Sequence, residues 1–150
     1  YYFLLLVYYS ITTLKSNEKG VLMLQLKLDS RAPVYIQVID YFKVQIASGA
    51  LAKGEEIPSR RELAAKLKIN PNTVQRAYKE MEEEGLIYTE GNMPSKITKD
   101  ERVIESVRED LLKEAVDTFV SSVHTLNVPL DETVTLVKES YEKKRGDSDD

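Results

Sequence analysis

The sequence predicts a mainly α protein with a small β wing. Three observations carry that reading. Residues 57–88, IPSRRELAAKLKINPNTVQRAYKEMEEEGLIY, read as a short helix, a tight turn, a second helix and the start of a strand. Beyond residue 100, apolar side chains recur at spacings of three and four through two further helices. Strand signals are confined to short runs, Leu24-Gln25-Leu26-Lys27-Leu28 and Leu86-Ile87-Tyr88.

The first scaffold helix covers residues 34–48, with Tyr35, Val38, Ile39, Phe42 and Ile46 on one side and Gly49 as its stop. Tyr35 and Tyr41 read as core or rim packing rather than as stacking platforms. The next helix is signalled at Ser59. With Glu62 three residues on, it makes a capping box, in which each side chain satisfies a backbone N–H left orphaned at the helix start. Leu63, Ala64 and Leu67 supply its apolar stripe. The turn Lys68-Ile69-Asn70 follows, and Asn70 caps a helix that opens with Pro71, where a missing N–H does no harm. Val74, Ala77, Tyr78 and Met81 recur at i, i+3, i+4 and i+7 and face a core, and Gly85 ends the helix.

The other faces of this second helix, residues 71–84, carry Asn72, Thr73, Gln75, Arg76 and Lys79. Such a helix lies in the DNA major groove with its N-terminal residues near base edges, while the preceding helix crosses the phosphate backbone. Asn and Gln bond adenine edges, Arg bonds guanine, and Thr offers a methyl to thymine. Charge agrees locally. The chain is net −4, yet residues 59–79 hold six basic side chains (Arg60, Arg61, Lys66, Lys68, Arg76, Lys79) against one acid, Glu62. Residues 101–150 hold seven basic and thirteen acidic ones. A basic reading head on an acidic body suits a site-specific binder better than a nonspecific coat. The candidate DNA-contacting residues are therefore Ser59, Arg60, Arg61, Asn70, Asn72, Thr73, Gln75, Arg76, Lys79 and, on the wing, Lys96.

Several spaced blocks agree in order with one family: Pro33-Val34-Tyr35-Ile36-Gln37-Val38, Ile46-Ala47-Ser48-Gly49-Ala50-Leu51, Gly54, Ile57-Pro58-Ser59-Arg60-Arg61-Glu62-Leu63-Ala64, and Asn70-Pro71-Asn72-Thr73-Val74-Gln75-Arg76-Ala77-Tyr78. Residues 31–99 resemble the winged helix-turn-helix domain of GntR-family bacterial regulators, and the last block is particularly similar to the small YtrA-type branch. The resemblance implies that the position of Arg61 contacts phosphate or base, and that Asn70, Asn72, Thr73, Gln75 and Arg76 face the groove. Many members have Arg where this chain has Pro71 and Gln75. Members also usually carry a basic, double-glycine wing turn. Here the segment is Glu90-Gly91-Asn92-Met93-Pro94-Ser95-Lys96-Ile97-Thr98, with Lys96 its sole cation, so a weaker or differently placed wing contact is expected.

Lys99 and Asp100 mark the end of this domain. The long helix beyond carries Val103, Ile104, Val107, Leu111, Leu112, Ala115, Phe119, Val120, Val123 and Leu126. Asn127-Val128-Pro129 breaks it, and Asp131 caps a second helix bearing Val134, Leu136, Val137 and Tyr141. Two helices cannot bury that surface alone; they fold back on the head or pair with another chain. The expectation is a dimerisation segment over residues 101–144, with Val107, Leu111, Leu112, Phe119 and Val123 in the seam and 145–150 a polar tail. Operator symmetry mirrors protein symmetry, so a palindromic double-stranded DNA operator and a homodimer belong together, as the YtrA-type resemblance also implies. The overall expectation is a winged helix-turn-helix domain followed by a two-helix C-terminal dimerisation segment.

At 150 residues the chain supports one compact DNA-binding domain and a small appendage. It has no cysteine, one histidine (His124, beside the apolar stripe) and no phosphate-binding glycine loop, so no enzyme, metal site or cofactor is expected. Residues 1–11 form an apolar run too short to span a bilayer, which takes roughly 20 residues. Met23 precedes the first strand, and the codons of Lys19-Gly20-Val21 can spell a purine-rich ribosome-binding site. Residues 1–22 are thus expected to be an upstream extension, with a membrane-associating segment as the rival reading. Two other function classes stay open: a winged-helix protein–protein adaptor, favoured by the loss of the basic wing, and an effector-sensing regulator. For the latter, about fifty C-terminal residues leave little room for a pocket of roughly 300 Å³. The expected function is a cytoplasmic transcriptional regulator, acting as a repressor.

Overall fold

The computed structural model describes Leu28, Ser30 and residues 32–146. The expectations for residues 1–22, and for a strand at 24–28 apart from Leu28, lie outside the described residues. The elements run α1 (Val34–Ala47), α2 (Arg60–Leu67), α3 (Pro71–Glu83), β1 (Ile87–Tyr88), β2 (Lys96–Ile97), α4 (Glu101–His124) and α5 (Leu130–Gly146). The described part divides into two compact units after Leu112.

In the first unit, α1 is central rather than half-solvated. Val38, Ile39, Phe42 and Ile46 are buried as expected, but so are Gln37, Tyr41, Val44 and Gln45. A helix buried on most sides lies inside its domain. The buried Gln37 side chain donates to the Ala32 carbonyl at 2.6 Å, which satisfies its amide N–H. Phe42 meets Tyr78 of α3 edge to face, with centroids 6.1 Å apart, a favoured aromatic geometry. Leu63, Val74, Ala77, Met81, Leu86 and Ile97 complete the core around them.

The caps form as the sequence predicts. Ser59 Oγ accepts the Glu62 N–H at 3.2 Å, and Glu62 Oε2 accepts the Ser59 N–H at 2.8 Å. Asn70 Oδ1 accepts the Asn72 N–H at 2.8 Å, with Pro71 at the first position of α3. At the far end of α3, Leu86 N–H reaches the Met81 carbonyl and Gly85 N–H the Glu82 carbonyl, at 2.9 and 3.1 Å. Gly85 takes φ +73°, which this Schellman turn requires.

The β element is slight. β1 pairs antiparallel with β2, Ile87 opposite Ile97 and Tyr88 opposite Lys96. The strand expected to start at Leu86 starts one residue later, at Ile87. On its other side β2 receives the segment before α2: Ile97 N–H bonds the Glu55 carbonyl and Ile57 N–H bonds the Ser95 carbonyl, both at 2.9 Å. Lys96 thus lies at the base of the wing, opposite Glu56, and not at the tip.

The expected boundary at Lys99–Asp100 is not a break in the core. Asp100 caps α4 by accepting the Arg102 N–H at 2.9 Å. Ile104 and Val107 are then buried in the head, and Leu111 packs against the same cluster. Arg108 adds two 3.3 Å bonds to the carbonyl of Ala47, the last residue of α1, where a cation also meets the favourable end of the helix dipole. Val107 and Leu111, expected in a dimer seam, are therefore committed to the core of their own head. Their spacing fits both roles, which is why periodicity alone did not separate them.

The second unit contains the remainder of α4, the break at 125–129 and α5. Asn127 takes φ +52° at the break. The expected cap at Asp131 is displaced: α5 begins at Leu130, and Asp131 and Glu132 lie in its first turn, where acids favour the dipole. No residue of α5 is buried.

Candidate nucleic-acid interface

α3 has two chemically distinct sides. Val74, Ala77, Tyr78 and Met81 are fully buried. Asn72, Gln75, Arg76 and Lys79 are exposed, and Thr73 is half-buried beside them. The helix is anchored by its apolar stripe, and the remaining face presents amide, guanidinium and ammonium donors to solvent. Asn70 is exposed too, but its side-chain oxygen is occupied by the cap. Ser59 likewise serves the α2 cap.

The cations around this face differ in their surroundings. Arg61 and Lys68 are exposed and form no ion pair among the described residues. Lys79 faces Glu83 at 3.7 Å. Arg60 is turned inward: it bonds Glu82 at 3.2 Å, and its guanidinium lies 5.2 Å from the Tyr78 ring centre. Glu82 also accepts from Thr89 at 2.6 Å, and Thr89 meets the buried Ser95 at 2.7 Å. Arg60, Glu82, Thr89 and Ser95 thereby tie α2, α3 and both sides of the wing together. The buried Tyr78 hydroxyl donates to the Pro58 carbonyl, and burial raises its pKa. These contacts cross between elements, so no local spacing rule finds them.

Arg76, expected to face the groove, lies on the exposed face of α3 with its side chain 58% exposed. Its Nε donates to Glu80 at 2.9 Å, one helical turn on, and its guanidinium stacks 3.6 Å from the centre of the Tyr35 ring. The Glu80 bond raises the arginine pKa further, so the group is always charged. Tyr35 packs at the rim of the core, as expected, and its ring also carries an arginine of its own chain.

The wing tip is poor in charge. Glu90, Gly91, Asn92, Met93 and Pro94 are all exposed, Met93 at 55%. A turn closes it, with Met93 N–H on the Glu90 carbonyl at 3.0 Å.

Two helices joined by a three-residue turn, the second polar on its outer face and followed by a hairpin, form a winged helix-turn-helix. Residues 34–96 match the bacterial regulatory proteins of the gntR family. Over 130 residues the chain is 32% identical to the HTH-type transcriptional repressor YtrA of Bacillus subtilis (strain 168), covering 85% of this chain and 100% of that protein. The chain belongs to the gntR family. It is also 30% identical to the HTH-type transcriptional regulator YhcF of the same organism, covering 75% of this chain and 93% of that one. Among solved structures, a GntR family transcriptional regulator from Listeria monocytogenes is similar at TM-score 0.68 and 36% identity, covering 75% of this chain and 98% of its own. A transcriptional regulator from Oenococcus oeni is similar at TM-score 0.65 and 28% identity, covering 77% and 96%. This gntR-family chain is accordingly a DNA-binding regulator of transcription and not an enzyme. Among the described residues, no helix is long and apolar enough to cross a membrane.

Proposed function

We propose that this protein is a cytoplasmic repressor that binds a palindromic operator as a homodimer, with α3 of each copy in the major groove. The observation that carries the reading is the exposed row Asn72, Gln75, Arg76 and Lys79 on a helix whose opposite stripe is fully buried. Asn, Gln and Arg are the side chains that read adenine and guanine edges bidentately. Arg61 and Lys68 nearby supply cations for phosphate. The repressor sense comes from YtrA, which is named a transcriptional repressor.

The homodimer rests on the second unit. Val116, Phe119, Val120, Leu126, Leu130, Val134, Leu136, Val137 and Tyr141 are all exposed there, and Leu112 just before it. Apolar surface on that scale on two helices marks an association surface. Leu112, Val116, Phe119 and Val123 follow one another at four, three and four along α4, the spacing of a helix–helix seam. Residues 31–99 remain our assignment for the reading head, with the exposed part of 101–144 for pairing.

The test is selection of duplexes from a randomised pool by the full chain, followed by footprinting. The expected result is an inverted repeat with half-sites about one helical turn, roughly 10 base pairs, or a multiple apart. A reporter under that sequence should be expressed more strongly when the protein is absent. Recovery of no enriched duplex would instead favour the adaptor reading, to which a wing tip without cations is suited.

A further inference from the structure

We propose that Tyr35 is a positioning residue for DNA recognition: it holds the Arg76 guanidinium in the plane and direction from which it meets the groove. The proposal rests on the reading of α3 as the DNA-contacting helix and names a residue on another element that this reading needs. An arginine on a helix surface has four side-chain torsions and samples many positions, so fixing it on binding is unfavourable. Two contacts restrict Arg76 beforehand. The Tyr35 ring from α1 lies 3.6 Å beneath the guanidinium and sets its plane. Glu80 takes Nε at 2.9 Å and sets its rotation within that plane. With Nε occupied, the Nη1–Nη2 edge is the one left to act as an end-on fork, the geometry that suits guanine O6 and N7. The side chain is still 58% exposed, so the two contacts orient it without burying it.

The two contacts divide the labour. Glu80 alone would be a weak surface pair, easily exchanged for water or phosphate. A ring face adds a neutral platform that DNA phosphate does not displace, because arginine stacks on an aromatic face while its edge donors stay available. Support of this kind raises affinity by preorganisation rather than by a new contact with DNA.

A double-mutant cycle on the duplex that the wild-type chain selects, with a scrambled duplex of equal length as control, tests this. Tyr35→Leu is expected to weaken binding to the selected duplex about two- to five-fold, the size of an exposed cation–π contact, with the scrambled duplex unaffected. Tyr35→Phe should bind close to wild type, since the ring face is the main contact and the hydroxyl adds only a minor one to Arg76. In an Arg76→Ala background, Tyr35→Leu should cost nothing further. Glu80→Gln leaves the core untouched and loosens the other contact; it should strengthen scrambled-duplex binding and lower the selected-to-scrambled ratio.

An equal loss from Tyr35→Leu with and without Arg76 overturns the proposal, because Tyr35 would then act on the fold or on DNA directly. A Tyr35→Phe variant as weak as Tyr35→Leu overturns it too. Should Arg76→Ala bind like wild type, the assignment of Arg76 falls and takes the role of Tyr35 with it, while the DNA-binding reading of α3 survives. Failure of the wild type to select any duplex overturns that reading itself.

Discussion

Arg76 is the side chain of α3 on which the proposed recognition depends most, since it is a fixed cation with a paired donor edge one turn beyond Asn72. Arg76→Ala should cost about 1–3 kcal/mol on the selected duplex and relax preference at one base pair per half-site. Equal losses on selected and scrambled DNA would show that it holds only phosphate. Lys68 poses a different problem. It takes φ +54° at the end of α2, a left-handed conformation that a side chain disfavours by roughly 1–2 kcal/mol and that glycine adopts freely. A lysine kept there, exposed and outside any ion pair among the described residues, makes sense if its charge contacts phosphate. Lys68→Gly should therefore raise the melting temperature while weakening binding evenly across sequences, with a salt slope about one unit shallower per half-site. Salt titrations with both proteins check this, and an unchanged slope would remove Lys68 from the interface.

At the scale of elements, the α2 cap is the most exposed point of leverage. Ser59→Ala should destabilise the head by about 1 kcal/mol, as N-cap losses do. Glu62 has its carboxyl held below the usual range, first by the backbone N–H of Ser59 and then by its hydroxyl. A carboxyl whose folded pKa is lowered stabilises the fold above its unfolded value of 4.5, and loses that effect as pH falls through the folded value. Thermal melts of wild type and Glu62→Gln should thus differ most near neutral pH and converge in acid. A constant gap would locate the effect outside the titration. Both cap residues were legible in the sequence because a cap joins residues three apart. So were Asn70 ahead of Pro71, the buried stripe of α3 and the turn at Gly85. What escaped is what joins distant residues: Tyr35 beneath Arg76, Arg60 turned toward Glu82 and the Thr89–Ser95 link. Val107 and Leu111 escaped for another reason. Spacing reveals that a helix face is apolar and says nothing of which surface covers it, here the head's own core.

For the whole molecule, the proposed homodimer would set affinity by joining two reading heads. One head offers few base contacts, whereas two linked heads gain effective concentration and can bind roughly 10²–10⁴ more tightly than either alone. The burial pattern along α4 places the useful mutation. Ile104, Val107 and Leu111 serve the head, so changing them would unfold it rather than test association. Phe119 lies beyond Leu112, is 41% exposed, and belongs to the row with Val116 and Val123. Phe119→Asp leaves the head intact and sets a carboxylate in the proposed apolar seam, where an unpaired charge is strongly unfavourable. Size-exclusion chromatography with light scattering should find wild type as a dimer and the variant as a monomer. Circular dichroism should show the helical content kept, and affinity for the inverted repeat should fall to that for a single half-site. A variant that remains dimeric with its helices intact would place the pairing surface elsewhere on the chain, with α5, whose Leu130, Leu136 and Tyr141 are the most exposed of its apolar residues, the next face to charge.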